Sequence, residues 1–168
     1  IEGDLGKRIE RNFNRLEETR YQPIVNKGCF REGKYRWPGD MEGRTILSLA
    51  MLQQSGEREA KYLPKIMEMA PGRMNDEGFF GKNYFPKCDE QQFSGHGWLL
   101  RGLCELYADR QDPEVKTMIE NVVDNLVMPT QGKHKVYPIE PRKRVKKKGK
   151  VSGEVLSEDG MWRLSSDV

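Results

Sequence analysis

The sequence has little that would place it among membrane, disulfide-bonded or metal-finger proteins. Its 168 residues include only three cysteines, Cys29, Cys88 and Cys104, and their spacing fits neither a disulfide framework nor a paired-cysteine metal site. No apolar run approaches the roughly 20 residues that are needed to span a bilayer, so no membrane partner is expected. We expect free thiols, with Cys104 as a small core residue.

The chain is also poor in hydrophobic residues and has no large charge of one sign. Hydrophobic residues make up 36% of the sequence and the mean hydropathy is −0.82, which is lean for a self-contained globule. The net charge of +3 comes from 29 basic and 26 acidic residues that are mostly interspersed. This pattern predicts no nucleic-acid partner, and a part of a larger domain explains the shortage of apolar residues.

The amino terminus carries no targeting segment that can be recognised. No positively charged leader followed by an apolar stretch opens the chain, and the first residue is Ile1 rather than a methionine. An upstream targeting peptide could therefore have been removed. The compartment stays open, with a periplasmic or extracellular location slightly favoured over the cytoplasm.

Apolar residues recur at helical spacing through residues 1–130. The opening stripe of Leu5, Ile9, Phe13 and Leu16 is typical of an amphipathic helix that lies on a larger body. Proline, glycine and aspartate residues then mark where helices begin and end. Further helices are predicted from Asp40 to Ser55–Gly56, from about Glu57 to Ala70, from near Glu90, and from Asp112–Pro113 to Pro129.

The two most apolar helices are related by a repeat. A shift of 54 positions, from 43 to 97, lays Gly43 on Gly97 and Leu49 on Leu103. A period near 50, with one apolar helix followed by one amphipathic helix, is typical of stacked helical hairpins in a solenoid or a closed toroid. We therefore predict an all-α fold for residues 1–130, with the apolar helices on the inside.

The helical pattern ends near Gln131. Two prolines follow, and seven of the nine residues from Arg142 to Lys150 are basic. Such a run is usually solvated surface, although binding of an acidic glycan or nucleic acid is an open alternative. Residues 131–168 are predicted to form an irregular, basic connecting segment.

Residues that can carry chemistry precede the second apolar helix. Glu90 lies near its start, and His96 is flanked by Gly95 and Gly97. An imidazole at the mouth of an inner helix can hydrogen-bond to sugar hydroxyls. The alternative is a satisfied core or capping histidine, with the glycines present for close helix packing.

Trp37, Asp40 and Glu42 occupy the corresponding place one repeat earlier. An aromatic plane beside carboxylates suits a sugar-binding cleft, because the ring contacts C–H groups and the carboxylates accept from hydroxyls. The alternative is that Asp40 caps the helix and Glu42 is a first-turn residue favoured by the helix dipole. The candidate substrate-binding residues are His96, Glu42, Asp40, Glu90 and Trp37.

Three motifs taken together resemble one enzyme family. They are Asp40-x-Glu42-Gly43-Arg44, Glu77-Gly78-Phe79-Phe80-Gly81 and Gly95-His96-Gly97-Trp98-Leu99-Leu100-Arg101-Gly102. The stretch from Trp37 to Pro129 resembles the β-L-arabinofuranosidase-type glycoside hydrolases, formerly a domain of unknown function. The resemblance implies an (α/α)6 barrel, of which this chain is the N-terminal part, with β-sandwich domains after it.

The resemblance also implies catalytic chemistry outside this chain. In the characterised relatives a cysteine thiolate is the nucleophile, a glutamate is the general acid/base, and cysteines with a glutamate hold zinc. None of Cys29, Cys88 and Cys104 matches these residues, so the catalytic residues are unassigned. Zinc is implied only for the complete enzyme, and no cofactor is expected within this chain.

The resemblance implies that the chain is part of a glycosidase that acts on a polysaccharide or oligosaccharide. The candidate substrate is a terminal arabinofuranose-like sugar. Its partners would be that carbohydrate and the remaining part of the same barrel. The alternative is a helical-repeat module that binds another protein on a concave surface and has no catalytic activity. A toroid would gather the candidate residues at one end of its inner helices, whereas an open solenoid has no reason to do so.

Overall fold

The computed structural model describes residues 2–18, 38–56 and 58–133, together with the backbone of 154–156 and 162–165. This described part is predominantly helical, as the sequence predicts. Its α-helices are α1 (Gly3–Leu16), α2 (Asp40–Gly56), α3 (Leu63–Met69), α4 (Glu90–Arg110) and α5 (Pro113–Val122). A 3-10 turn at Pro71–Arg73 follows α3, and a π turn at Val123–Val127 and a 3-10 turn at Met128–Thr130 continue α5.

The helices α4 and α5 form a hairpin with a two-residue connection. The carboxylate of Asp89 accepts from the backbone N–H of Gln92 at the start of α4, over 2.9 Å. Gln111 ends α4 in the left-handed conformation, with φ 53°, and Asp112 caps the next helix by accepting from the N–H of Glu114. These caps satisfy backbone donors that a helix start leaves free. The starts of α4 and α5 could therefore be predicted from the sequence.

The helices α2 and α4 run parallel and touch backbone to backbone. A Cβ atom on Gly43 would collide with the backbone of Trp98 and Leu99, and one on Gly102 would lie 2.7 Å from the carbonyl oxygen of Gly43. Further along, the side chain of Gln54 donates to the carbonyl of Glu105. Residue numbers rise together along both helices, so their amino-terminal ends lie at the same side of the molecule.

One hydrophobic core joins the helices and the loop before α4. Its members are fully or almost fully buried, and they come from all five helices. They are Phe13, Ile46, Leu49, Ala50, Ala60, Leu63, Ile66, Ala70, Phe79, Phe80, Leu99, Leu103, Leu106, Val115, Met118 and Val122.

The helix α3 is shorter than the predicted helix from 57 to 70. Before it begins, the backbone N–H of Ala60 donates to the side-chain oxygen of Gln53, and the N–H of Lys61 donates to Glu17. Pro64 lies in the first turn of α3, where the absence of a backbone donor is tolerated. Side chains from other helices therefore fix the turn before α3. The local sequence does not indicate these contacts.

A three-stranded sheet adds to the helices. Its strands are β1 (Cys88–Asp89), β2 (Glu154–Leu156) and β3 (Trp162–Ser165), in the order β1-β3-β2. β1 pairs with β3 in parallel, with Cys88 opposite Trp162, and β2 pairs with β3 antiparallel. The prediction that 131–168 is irregular is therefore wrong at β2 and β3. These strands are too short for an alternating pattern, and β1 is distant in sequence.

Two further sequence predictions concern the basic run and membranes. The basic run from 142 to 150 lies outside the described residues. Within the described part of the chain, no helix is both long and apolar enough to cross a bilayer.

Candidate functional site

The parallel arrangement of α2 and α4 brings four of the five candidate residues to one end of the helix pair. Asp40 and Glu42 lie in the first turn of α2, and Glu90 and His96 lie in the first two turns of α4. The two ends are adjacent, because a Cβ on Gly39 would be 3.2 Å from the backbone of Gly95 and His96. Trp37 lies outside the described residues.

His96 is a core residue whose two ring nitrogens both have partners. The ring is 0% exposed. Nε2 accepts from the backbone N–H of Phe80 over 3.0 Å, and Nδ1 lies 2.7 Å from the carbonyl oxygen of Gln92. These partners assign a neutral ring with its proton on Nδ1. Burial lowers the pKa of His96 from 6.5 to about 4, because a charged ring would be desolvated.

His96 does not face a sugar-binding cleft in the described part of the chain, although glycines flank it on both sides. Gly95 is needed for close packing, since a Cβ there would collide with the carbonyl oxygen of Pro38. Gly97 is open, but Phe79 and Phe80 pack around the His96 ring at centroid distances of 6.0 and 6.2 Å. The geometry of His96 is that of a satisfied core histidine, which was the alternative interpretation.

Amide side chains fix the loop that closes over His96. Asn75 accepts from the N–H groups of Glu77 and Phe79 and donates to the carbonyl of Gly81. Gln92 donates to the carbonyls of Phe80 and Lys82, both over 2.9 Å. These hydrogen bonds hold the loop in place against the first turns of α4.

Glu42 is buried like His96 but lacks a full set of partners. It is 1% exposed, and its Oε2 atom has no hydrogen-bond partner among the described residues. Desolvation raises the pKa of Glu42 from 4.5 to about 7, with a smaller contribution from Asp40, while backbone N–H groups of Glu42 and Gly39 oppose the shift. A carboxyl group with a pKa near 7 can hold or release a proton at neutral pH.

Asp40 belongs to a surface cluster with Arg44 and Trp98. The Arg44 Nε donates to Asp40 Oδ1 over 3.0 Å, and its guanidinium lies 4.4 Å from the Trp98 ring centroid. The side chains of Arg44 and Asp40 are 54% and 23% exposed. Arg44 and Trp98 were absent from the predicted site residues, although the Asp–Arg spacing of four residues signals the ion pair.

Glu90 is the first residue of α4 and is half-buried. An acidic residue there is favoured by the helix dipole. The predicted residues thus share one end of the helix pair but not one cleft. His96 points into the core, Glu42 is buried, and Asp40 lies at the surface.

A second concave region lies between the loop at 83–89 and the end of α5. It is a shallow groove lined by aromatic, amide and charged side chains. Phe85 is 62% exposed there, and Lys133 lies 4.7 Å from its ring centroid while donating to the Pro86 carbonyl. Among the described candidate residues, Asp40, Glu42, Glu90 and His96, none lines this groove.

The described residues do not fit a zinc site. No group of three or more His, Cys, Asp or Glu residues among them could hold a metal ion. Cys88 is buried, whereas Cys104 is exposed. The prediction of Cys104 as a core residue is wrong, because it lies on a face of α4 that no described element covers.

Comparison with known protein families, curated proteins and solved structures finds no match for this chain.

Proposed function

We propose that this chain forms one wall of the sugar-binding cleft of a glycoside hydrolase built on an α/α toroid. The candidate substrate is a polysaccharide or oligosaccharide with a terminal arabinofuranose-like sugar. The observation that carries the proposal is the cluster of half-buried Asp40 and Trp98 with exposed Arg44 at the shared amino-terminal end of two parallel helices. The family resemblance of the surrounding motifs supports it.

The cluster has the chemistry that sugar recognition requires. Asp40 can accept hydrogen bonds from sugar hydroxyls, Arg44 can donate to ring or hydroxyl oxygens, and the indole of Trp98 offers an apolar surface to C–H groups. Glu42, two residues before Arg44 in α2, is a buried carboxyl group that can carry a proton near pH 7. The catalytic residues implied by the resemblance lie outside this chain.

The helix arrangement supports a toroid. In a toroid of helical hairpins the inner helices run parallel and repeat at a constant sequence interval. The helices α2 and α4 are parallel neighbours, with Gly43 and Gly102 in their contact, and they are related by the 54-residue repeat. Equivalent positions of such a repeat recur around the ring, which would bring further first-turn side chains to the same end.

Sugar binding by the chain tests the proposal. We expect an arabinofuranoside to shift the indole N–H signal of Trp98 in nuclear magnetic resonance spectra. The Trp98→Ala and Arg44→Ala variants should weaken binding by about tenfold each, the usual effect of losing one polar or stacking contact. Arg101→Ala, on an exposed face of the same helix, is the matched control. Absence of binding across a panel of sugars, or equal loss in the control, would contradict the proposal.

Glycosidase activity gives a separate test. We expect no turnover of aryl glycosides by this chain, because the acid/base and nucleophile of the resembling family lie outside it. Turnover that survives purification and disappears in Glu42→Gln would show instead that Glu42 supplies the catalytic proton.

A non-catalytic helical-repeat module is the second candidate function. It is favoured by one observation, the exposed face of α4 that includes Gly97 and Cys104. In that case Trp98 and Arg44 would contact a protein, and the sugar titration would show no saturable shift.

A further inference from the structure

Glu42 is a buried carboxyl group in the first turn of α2. The residue is 1% exposed, and its Oε2 atom has no hydrogen-bond partner among the described residues. The backbone N–H groups of Glu42 and Gly39 donate to the carboxyl group. Burying a carboxylate without a counter-charge or a full set of donors is unfavourable. The closed turn therefore suits the protonated carboxyl group better than the ionised one.

The titratable groups of α2 and α4 at this end do not neutralise Glu42. On α2, Asp40 opposes its ionisation by charge repulsion, and the Nε of Arg44 is bound to Asp40. In the first two turns of α4 the titratable groups are Glu90 and His96. Glu90 is acidic, and the His96 ring is neutral with a partner on each nitrogen. None of these described groups donates to the Oε2 atom of Glu42.

The other elements that pack against α2 supply no donor to this carboxyl group either. The loop before α4 contacts Pro38 through Gly81, and the next residue in it, Lys82, is exposed. Helix α1 packs on Gly56, and the turn before α3 binds Gln53, both at the opposite end of α2. Within the described part of the chain, an ionised carboxylate at position 42 therefore gains its missing hydrogen bonds by reaching water.

The first turn of α2 can open without moving the rest of the helix. Gly43 lies so close to the backbone of Trp98 and Leu99 that a Cβ atom does not fit, which fixes α2 at this point. Gly39 precedes the turn with φ 86°, and a glycine can change its dihedral angles at little cost. The N–H of Gly43 donates to the carbonyl of Gly39 over 2.9 Å and closes the turn. Helix ends open more readily than helix interiors, so residues 39–42 can move between these two glycines.

We propose that the first turn of α2, residues 39–42, is a pH-sensitive switch that is closed when Glu42 is protonated and opens when Glu42 is ionised. Opening separates Asp40 from Arg44, and it therefore frees the guanidinium that lies over the Trp98 ring. The switch acts on the cluster to which sugar binding is assigned above. It involves this chain alone, so its test uses no sugar and its outcome is independent of the proposed function.

The pKa values of Glu42 in the open and closed turn set the size of the effect. In the open turn the carboxyl group is in water and has its ordinary pKa of 4.5, whereas burial in the closed turn raises the pKa to about 7. Below pH 4.5 both forms are protonated, so the ratio of open to closed molecules is constant. The ratio rises between pH 4.5 and 7, and it levels off at about 300 times its acid value because one pKa unit is a factor of ten.

Hydrogen exchange measured by nuclear magnetic resonance tests the switch. The series runs from about pH 5, above the His96 pKa of about 4, to about pH 8, with rates corrected for intrinsic exchange. We expect the protection of the Gly43 amide proton to fall by at least about tenfold and at most about 300-fold. Glu42→Gln, which is neutral at every pH, should keep this protection constant. Glu68→Gln, an exposed change on α3, is the matched control and should behave like the parent.

Low concentrations of urea distinguish opening of the turn from unfolding of the whole chain. Opening of four residues exposes little surface, so urea should leave the exchange of Gly43 almost unchanged. The amide of Leu103, in the buried interior of α4, should be better protected than that of Gly43 and should exchange faster as urea is added. Equal protection and equal urea response of the two amides would overturn the proposal. Protection of Gly43 that is independent of pH, or that falls equally in Glu42→Gln, would also overturn it.

The indole N–H signal of Trp98 reports whether the switch reaches the cluster. It should shift over the same pH range as the change at Gly43, because Arg44 leaves its position over the ring when Asp40 moves away. The shift should be absent in Glu42→Gln, and Trp98→Phe identifies the signal. A Trp98 signal that is unchanged while Gly43 loses protection would overturn the proposed control of the cluster.

Discussion

Glu42 and His96 occupy equivalent places in two parallel helices, and both are buried. Their chemistry differs because the surroundings supply hydrogen-bond partners for both nitrogens of His96 but not for both oxygens of Glu42. The imidazole has partners on both nitrogens, while the Oε2 of Glu42 has none among the described residues. The two residues therefore share their burial and their position in the repeat. They differ because the loop at Phe80 supplies a hydrogen-bond partner to His96, while Glu42 keeps one carboxyl oxygen without a partner among the described residues.

The same desolvation shifts the two pKa values in opposite directions. It raises the pKa of Glu42 to about 7 and lowers that of His96 to about 4. Both shifts favour the neutral form, which is protonated for a carboxyl group and deprotonated for an imidazole. Changes at matched positions of the two helices can test how far the repeat is equivalent.

The glycine pair should show the largest difference. Gly43→Ala should lower the free energy of unfolding by at least about 3 kcal/mol, because the added Cβ collides with the backbone of α4. Gly97→Ala should raise it by up to about 1 kcal/mol, since alanine favours an exposed helix interior. Urea denaturation measures both. Equal effects would mean that the two faces of the repeat are packed alike.

His96→Ala should lower the free energy of unfolding by about 3 kcal/mol. The variant leaves the Phe80 N–H without its acceptor and opens a cavity between Phe79 and Phe80. Ser94→Ala, an exposed change in the same helix, should stay within about 0.5 kcal/mol. Urea denaturation again gives the comparison, and a loss below about 1 kcal/mol for His96→Ala would contradict the structural role.

The pH dependence should separate Glu42 from His96. The raised pKa of Glu42 gives stabilisation that is complete below pH 4.5 and is lost as the pH rises to about 7. The lowered pKa of His96 gives stability that is complete above pH 6.5 and is lost as the pH falls to about 4. Each contribution is on the order of 3 kcal/mol over its window.

Between pH 4.5 and 6.5 the two groups change the free energy of unfolding in opposite directions as the pH rises. Removing Glu42 ionisation with Glu42→Gln should leave a stability that rises with pH up to 6.5, the ordinary pKa of His96. Replacing the imidazole with His96→Leu should leave a stability that falls as the pH rises to about 7. Urea denaturation of both variants across this range measures the slopes, and parallel curves would show that one of the pKa shifts is absent.

Arg44→Gln should have the smallest effect on stability. Its ion pair with Asp40 and its contact with Trp98 are at the surface, so the expected loss is below about 1 kcal/mol. Thermal unfolding measures this loss. A decrease in the free energy of unfolding above about 2 kcal/mol would show that the cluster's main role is to hold α2 and α4 together.

The sequence predicted elements whose signals are local. The helices α1, α2, α4 and α5 carry their own periodicity, and Asp112 with Pro113 marks the start of α5. The short sheet was not predictable, because β1 pairs with a strand more than 70 positions away, Cys88 with Trp162. Long-range pairing of two to four residues leaves no period in the sequence.

The candidate site was predictable in position but not in orientation. The repeat and the capping residues indicated that Asp40, Glu42 and His96 lie at helix starts. Which side of the helix is covered depends on tertiary partners, such as Phe80 for His96. The same reason explains Cys104, which is exposed although it lies in an apolar helix.

The hydrogen bond from the Phe80 amide to His96 links a loop to the opening of a helix. Gln92 and His96 lie on successive turns of α4, and both bind the backbone of Phe80. The loop around Phe80 can take this conformation only when the first turns of α4 are formed. Its amide proton should therefore exchange with deuterium as slowly as those of the α4 interior, although Phe80 belongs to no helix or strand.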